Sequence, residues 1–258
     1  MSGVVLERPR PEVLRVVLDR PQRRNAQTPS TWSALAEAAH TLPPEVRVVV
    51  VAGRGESFSS GLDRAVWPEL TALAALPDAE LDARIEGYQR GFTGWRRPGV
   101  LSVAAVQGHA VGAGFQLALA CDVRVAADDA RFRMAETSLG LVPDLAGTAP
   151  LVRAVGEAAA LELCLTGREV GAAEARALGL VQLVVPRDDL DAAVDDLVEA
   201  VLAAPAGASR ETLDLLRGAA DRAAPEQLRL ERAAQARRLR SLVARPEAAG
   251  EAGAGRDG

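Results

Sequence analysis

Apolar positions change period several times along the chain. Residues 46–52 and 100–106 are valine-rich runs, the pattern of strands buried on both faces. Residues 4–7 and 13–18 read as two further strands joined by a turn at Pro9-Arg10-Pro11. A helix is expected from Thr28-Pro29, with Thr28 as its N-cap, to about His40, before Pro43-Pro44. Residues 64–95 read as a helical stretch broken near Pro68 and Pro77; Asp78 can cap the second piece, where Leu81, Ile85 and Tyr88 recur at helical spacing. Short strands are expected at 123–127, 132–134 and 180–185, and helices at 150–165 and 172–178. Helical runs follow at 190–203, 209–222 and 225–243; the last carries an imperfect apolar stripe through Leu228, Ala233, Ala236, Leu239 and Leu242.

The run at 100–106 leads through Gln107-Gly108 to a hinge of small residues, Gly112-Ala113-Gly114, and then to helix-like residues 115–120. A helix that starts at such a junction directs its first unpaired N–H groups outward from its positive end. Those donors can hold an anion, or an oxygen that becomes anionic during a reaction. The 46–52 run also ends in a glycine/serine loop, Ser59-Ser60-Gly61-Leu62. If the two strands are neighbours, the N–H groups of Leu62 and Ala113 can converge on one oxygen. The glycines alone are equally compatible with close helix–strand packing.

Other glycine-loop chemistries fail on residue identity. A dinucleotide fingerprint lacks its third glycine, since Leu117 stands there. A phosphate-binding loop needs a lysine and the sequence has none, which also excludes Schiff-base chemistry. The remaining carboxylates of interest are Glu136 and Asp144, on a loop of small and apolar residues ending in Gly147-Thr148. Buried there, their pKa values would be raised by desolvation, which suits proton transfer; exposed, they would only cap or solvate the loop.

Composition narrows the setting. The 258 residues are 48% hydrophobic and 25% charged, within the range for one large core, or one core with a smaller appendage. Net charge is −5 without a basic block, which argues against nucleic acid. The only histidines are His40 and His109, so metal ligation is not expected, and Cys121 and Cys164 read as reduced core residues of a cytoplasmic protein. Neither a secretory leader nor a membrane span is expected.

Taken together, several segments resemble the crotonase superfamily, the enoyl-CoA hydratase/isomerase family. They are Leu18-Asp-Arg-Pro with Arg24-Asn-Ala26, Ser57-Phe-Ser-Ser-Gly-Leu-Asp63, Ala105 to Gly114 with Ala120-Cys-Asp122, Phe132…Glu136…Leu139-Gly-Leu-Val-Pro143…Gly147-Thr148, and Thr166-Gly-Arg…Ala173-Glu-Ala…Gly179-Leu-Val181, in family order. The resemblance implies an α/β fold: a spiral of ββα units over residues 1–200, with a helical oligomerisation region at 201–245. A tail at 246–258 is expected to be disordered from its composition. It also implies homo-oligomers, trimers or pairs of trimers, and an acyl-CoA thioester as substrate with no separate cofactor. The thioester oxygen would lie between the N–H groups of Leu62 and Ala113, flanked by Gly61, Gly112 and Gly114. Arg24 would border the coenzyme A phosphates; a solvated surface arginine is the other reading. Glu136 matches one of two glutamates that hydratases of the family use, while the other position holds Gln116, an amide that can position water but cannot take its proton. Asp144 stands where family members that shift double bonds carry an acid. The expectation is therefore enoyl- or dienoyl-CoA isomerisation, with hydration of a 2-enoyl-CoA, or acyl-CoA binding without catalysis, as alternatives. His109, Asp63 and Asp122 are expected to pack or fix loops.

Overall fold

Valine on both faces of a strand requires apolar cover on both sides, and the chain supplies it. The computed structural model describes residues 2–243. The first half runs β1 (Val4–Arg10), β2 (Val13–Leu18), α1 (Pro29–His40), β3 (Val48–Gly53), α2 (Trp67–Ala72) and α3 (Asp78–Thr93). Next come β4 (Leu101–Val106), β5 (His109–Val111), α4 (Ala113–Ala120), β6 (Val123–Ala127) and β7 (Arg131–Arg133). The chain continues with α5 (Thr148–Val155), α6 (Glu157–Thr166), β8 (Glu169–Gly171), α7 (Ala172–Ala177) and β9 (Leu183–Val185), and then α8 (Leu190–Ala203), α9 (Ala206–Gly218) and α10 (Ala224–Val243).

Six strands form one sheet in the order β1-β2-β3-β4-β6-β9; β1 is antiparallel to β2 and every other neighbouring pair is parallel. Each parallel step needs a crossover, and helices make it, so the chain winds as the expected α/β spiral of strand–strand–helix turns. A second sheet, β5-β7-β8, forms the other wall of the spiral. Val49 and Val51 belong to the main core with Val16, Ala104 and Leu117, whereas Val48 and Val50 pack with Leu190, Val194 and Val198 of α8. Alternate side chains of one strand thus enter different cores, which is why its sequence shows no polar face.

Several local expectations change. Asp78 is the first residue of α3 and makes no cap; Pro77 precedes it. Thr28 does cap α1, in a reciprocal box with Thr31. The helix expected over 150–165 is two helices broken at Gly156, and β5 and β8, three residues each, were not foreseen. Residue 200 lies within α8, whose apolar face is part of the core. The tail at 246–258 lies outside the described residues. Among those residues no helix is long and apolar enough to cross a membrane.

The C-terminal helices are tied down by polar contacts. Asp122 accepts from the Ser102 N–H (2.9 Å) and hydroxyl (2.7 Å) and pairs with Arg217 of α9 and Arg96. Arg217 also donates to the Val100 carbonyl (2.6 Å). Helix α10 is linked to α9 through Arg237 and Arg238, each 2.8 Å from Glu211. Burial alone would raise Asp122, but Arg217 and Ser102 outweigh it and hold the carboxyl below its ordinary value. A depressed value means that this stabilisation is complete above the ordinary aspartate range and fades as pH falls through the folded value. Asp122→Ala should cost about 3 kcal/mol in urea unfolding at pH 7, and the difference from wild type should shrink steadily in acid.

Candidate active site

The two glycine turns meet through Ser59. Gln27 and Leu62 form a parallel bridge, as do Ser59 and Ala110, so the loop after β3 is clamped between the segment before α1 and strand β5. The buried Ser59 hydroxyl donates to the Asn25 carbonyl (2.8 Å) and accepts from Gln27 Nε2 (3.1 Å) and the Gly61 N–H (3.2 Å). Trp32 completes the chain by donating its indole N–H to Gln27 Oε1 at 2.9 Å. Gly114 of α4 packs directly on Ser59. The Ser59 network was not singled out in the sequence; Asn25 and Ser59 lie inside motifs that were.

Gly61 takes φ = 84°, and a Cβ there would run into the Val111 carbonyl and lie 3.6 Å from the Ala113 nitrogen. Only glycine lets the turns approach this closely. The bridge from Gln27 uses Gly61 O and Asp63 N, leaving Leu62 N on the opposite side of the strand. Neither Leu62 N nor Ala113 N donates to an acceptor among the described residues. Two free amides on abutting turns, one of them opening helix α4, are donors of the kind that can hold an oxygen gaining negative charge.

Glu136 enters from the short 3₁₀ turn Glu136–Leu139 and is 7% exposed. Its Oε1 would lie 3.1 Å from a Cβ on Gly112, whose φ of 51° already disfavours a side chain. Gln116, 1% exposed, donates Nε2–H to Glu136 Oε1 at 2.7 Å, and its own oxygen accepts from Leu145 N (2.9 Å) and Gly147 N (3.3 Å). Both lone pairs of the amide oxygen are therefore used, leaving no acceptor for a water molecule. Glu136 Oε2 has no hydrogen-bond partner among the described residues. Asp144 sits half-buried on the same loop, and Gln89 of α3 donates to its backbone carbonyl (2.8 Å), a contact the sequence did not suggest.

Burial pushes the Glu136 carboxyl above its ordinary value; the hydrogen bond from Gln116 works against this and the Asp144 charge adds to it. Burial raises Asp144 as well. The structure thus brings Gly61, Leu62, Gly112, Ala113, Gly114, Gln116, Glu136 and Asp144 into one region. Arg24 is exposed and lines an open cavity of about 440 Å³ with His109, Glu56, Asp129 and Arg187. Its carbonyl accepts from Ser60 N at 2.8 Å, one residue from the Gly61 turn. His109 lines that cavity rather than a core, while Asp63 fixes its loop through Ala65 N (3.1 Å) and Arg20 (2.8 Å).

A spiral α/β scaffold with two free amides beside the buried Glu136 and half-buried Asp144 has the donors and acids for chemistry at a carbonyl oxygen. The sequence model of the enoyl-CoA hydratase/isomerase family matches residues 10–244, and the chain belongs to that family. It is similar to a Mycobacterium tuberculosis protein provisionally named enoyl-CoA hydratase echA8, 37% identical over 180 residues, 68% of this chain and 66% of the relative. The chain thus spans just under two thirds of that relative's length. It is 36% identical to the 2,3-dehydroadipyl-CoA hydratase of Escherichia coli, over 73% of this chain and 71% of that one. Among solved structures, a provisionally named enoyl-CoA hydratase from Thermobifida fusca YX, in complex with acetoacetyl-CoA, superposes with a TM-score of 0.88 at 48% identity, covering 93% of this chain and 96% of that one.

The raised Glu136 carboxyl has a consequence for stability. A folded value above the ordinary glutamate range makes ionisation unfavourable to the native state, so stability is lost as pH rises through it. Glu136→Gln should therefore melt a few degrees above wild type at pH 7–8, with the gap closing near pH 4, measured by differential scanning calorimetry.

Proposed function

We propose that the protein is an acyl-CoA enzyme that moves a proton next to the thioester, and that it shifts the double bond of an enoyl- or dienoyl-CoA. The observation that carries this reading is the buried Glu136, with one unpartnered oxygen beside the start of α4. The thioester oxygen would accept from Leu62 N–H and Ala113 N–H. Glu136 Oε2 removes a proton from C2 of a 3-enoyl-CoA, and the electron pair moves through the C1–C2 bond onto the thioester oxygen. Two oriented N–H donors hold that oxyanion, each worth about 3 kcal/mol at the transition state. A proton returned at C4 by the carboxylate pair closes the double bond at C2–C3. Proton transfer between Glu136 and Asp144 then restores both groups. No water, metal or redox partner is consumed, and coenzyme A leaves as part of the product.

Hydration of a 2-enoyl-CoA is the second reading, favoured by the names of the relatives. It requires a group to take a proton from water, and Gln116 has no free acceptor for that role. Glu136 or Asp144 would have to supply it. Binding without turnover is disfavoured because an unpartnered buried carboxylate costs stability that a passive binder need not sacrifice.

The same reading makes the protein a homo-oligomer, a trimer or a pair of trimers. Exposed Val152, Leu161 and Leu165 on the adjacent helices α5 and α6 support an apolar contact there. Light scattering should give a mass of three or six protomers; a monomer at micromolar concentration would contradict it.

Incubation with 3-enoyl-CoA should yield 2-enoyl-CoA of unchanged mass, resolved by chromatography, whereas a gain of one water would establish the hydratase. Glu136→Gln should lower kcat by about 10²–10⁴-fold, and Asp144→Asn should lower it by a smaller factor. Full activity in both variants would remove these carboxylates from the mechanism.

A further inference from the structure

Gln116 occupies a position where its three observed bonds all serve other functional groups. It lies in the first turn of α4, its N–H bonded to the Gly112 carbonyl at 2.9 Å, so its backbone is rigidly tied to the Ala113 amide. From there its side chain reaches Glu136 on one side and Leu145 and Gly147 on the other. Gly147 is required for this reach, because a Cβ there would lie 2.6 Å from Gln116 Cγ. Between the two bonded amides, Ala146 adopts φ = 62°, which turns the loop around the Gln116 oxygen. Gln89 holds the Asp144 carbonyl from the α3 side.

We infer that Gln116 is a positioning residue whose amide locks Glu136 and the Asp144 loop to the first turn of α4, leaving Glu136 Oε2 as the oxygen that exchanges protons with substrate. This rests on the proton-transfer reading above and adds to it an atom and a geometry. Of the two Glu136 oxygens, Oε1 is occupied by the amide N–H and Oε2, though buried, is unpaired. The Leu145 and Gly147 bonds meanwhile orient the segment that carries Asp144. The oxyanion amide, the base and the second acid then share one rigid frame. The titratable groups facing Glu136 are Asp144 on that loop and Cys164 on α6.

Two substitutions separate this role from simple packing. In Gln116→Glu, a protonated carboxyl mimics the amide: its C=O can accept from Leu145 and Gly147 while its O–H donates to Glu136 Oε1. The pair then carries one negative charge, as the wild-type pair does, but now shares an ionisable proton. Activity should stay within about tenfold of wild type near neutrality, with a new alkaline fall in kcat where the shared proton is lost. Gln116→Leu keeps the volume and loses every bond. Its kcat should fall about 100-fold with KM little changed, and adding Asp144→Asn should cost almost nothing more. Independently of turnover, ¹³C NMR of the glutamate side chains, assigned with Glu136→Gln, should show Glu136 titrating at higher pH in Gln116→Leu than in wild type. Wild-type kcat in Gln116→Leu together with an unmoved Glu136 titration would overturn the inference. If wild type acts on no enoyl-CoA, the functional reading fails while the titration still decides the role of Gln116.

Discussion

The site depends on one constraint: a carboxylate held out of water with a single oxygen satisfied. Glu136 would be more comfortable protonated, and the Gln116 N–H offsets only part of the cost of its charge. That imbalance raises the pH at which the group gives up its proton, and it persists only because the surroundings are rigid. The rigidity comes from glycine. Gly112 allows Glu136 to approach the start of α4, Gly61 allows the other amide turn to approach Ala113, and Gly147 leaves room for the Gln116 side chain.

The spiral explains why these pieces meet. Each parallel strand of the main sheet ends near the same edge, and the segments that follow β3 and β4 pack against each other. The loop after β7 closes over them, bringing Glu136 and then Asp144 to the first turn of α4. The polar chain from Trp32 through Gln27 and Ser59 to Asn25 sets the height of the Gly61 turn, and such fully satisfied buried networks fix one arrangement among many. At the far end of α4, Arg124 is buried, donating to the Leu180 (2.5 Å) and Cys121 (2.9 Å) carbonyls, so a cation stands at the helix's negative end.

What the sequence disclosed follows from how locally each feature is encoded. The valine runs, the Thr28 cap and the glycine hinge are written in adjacent residues, and the structure places them as expected. The three-residue strands β5 and β8 leave too short a pattern to read, and Gly156 breaks a helix that apolar spacing alone would continue. Long-range partners are invisible to spacing: Asp122 with Arg217 and Gln89 with Asp144 join residues far apart in the chain. Gln116 is the instructive case. Its identity ruled out a base, but only the structure reveals that its oxygen is already filled by Leu145 and Gly147. Arg24 lines an open cavity with His109, Glu56, Asp129 and Arg187.

The most direct test is a crystal structure of the wild-type protein with acetoacetyl-CoA, whose enolate-like head mimics the charge on the thioester oxygen. The account requires that oxygen to lie about 2.7–3.1 Å from both Leu62 N and Ala113 N, with the adjacent carbon facing Glu136 Oε2. A thioester oxygen bound away from either amide, or a Glu136 carboxylate turned from that carbon, would contradict it.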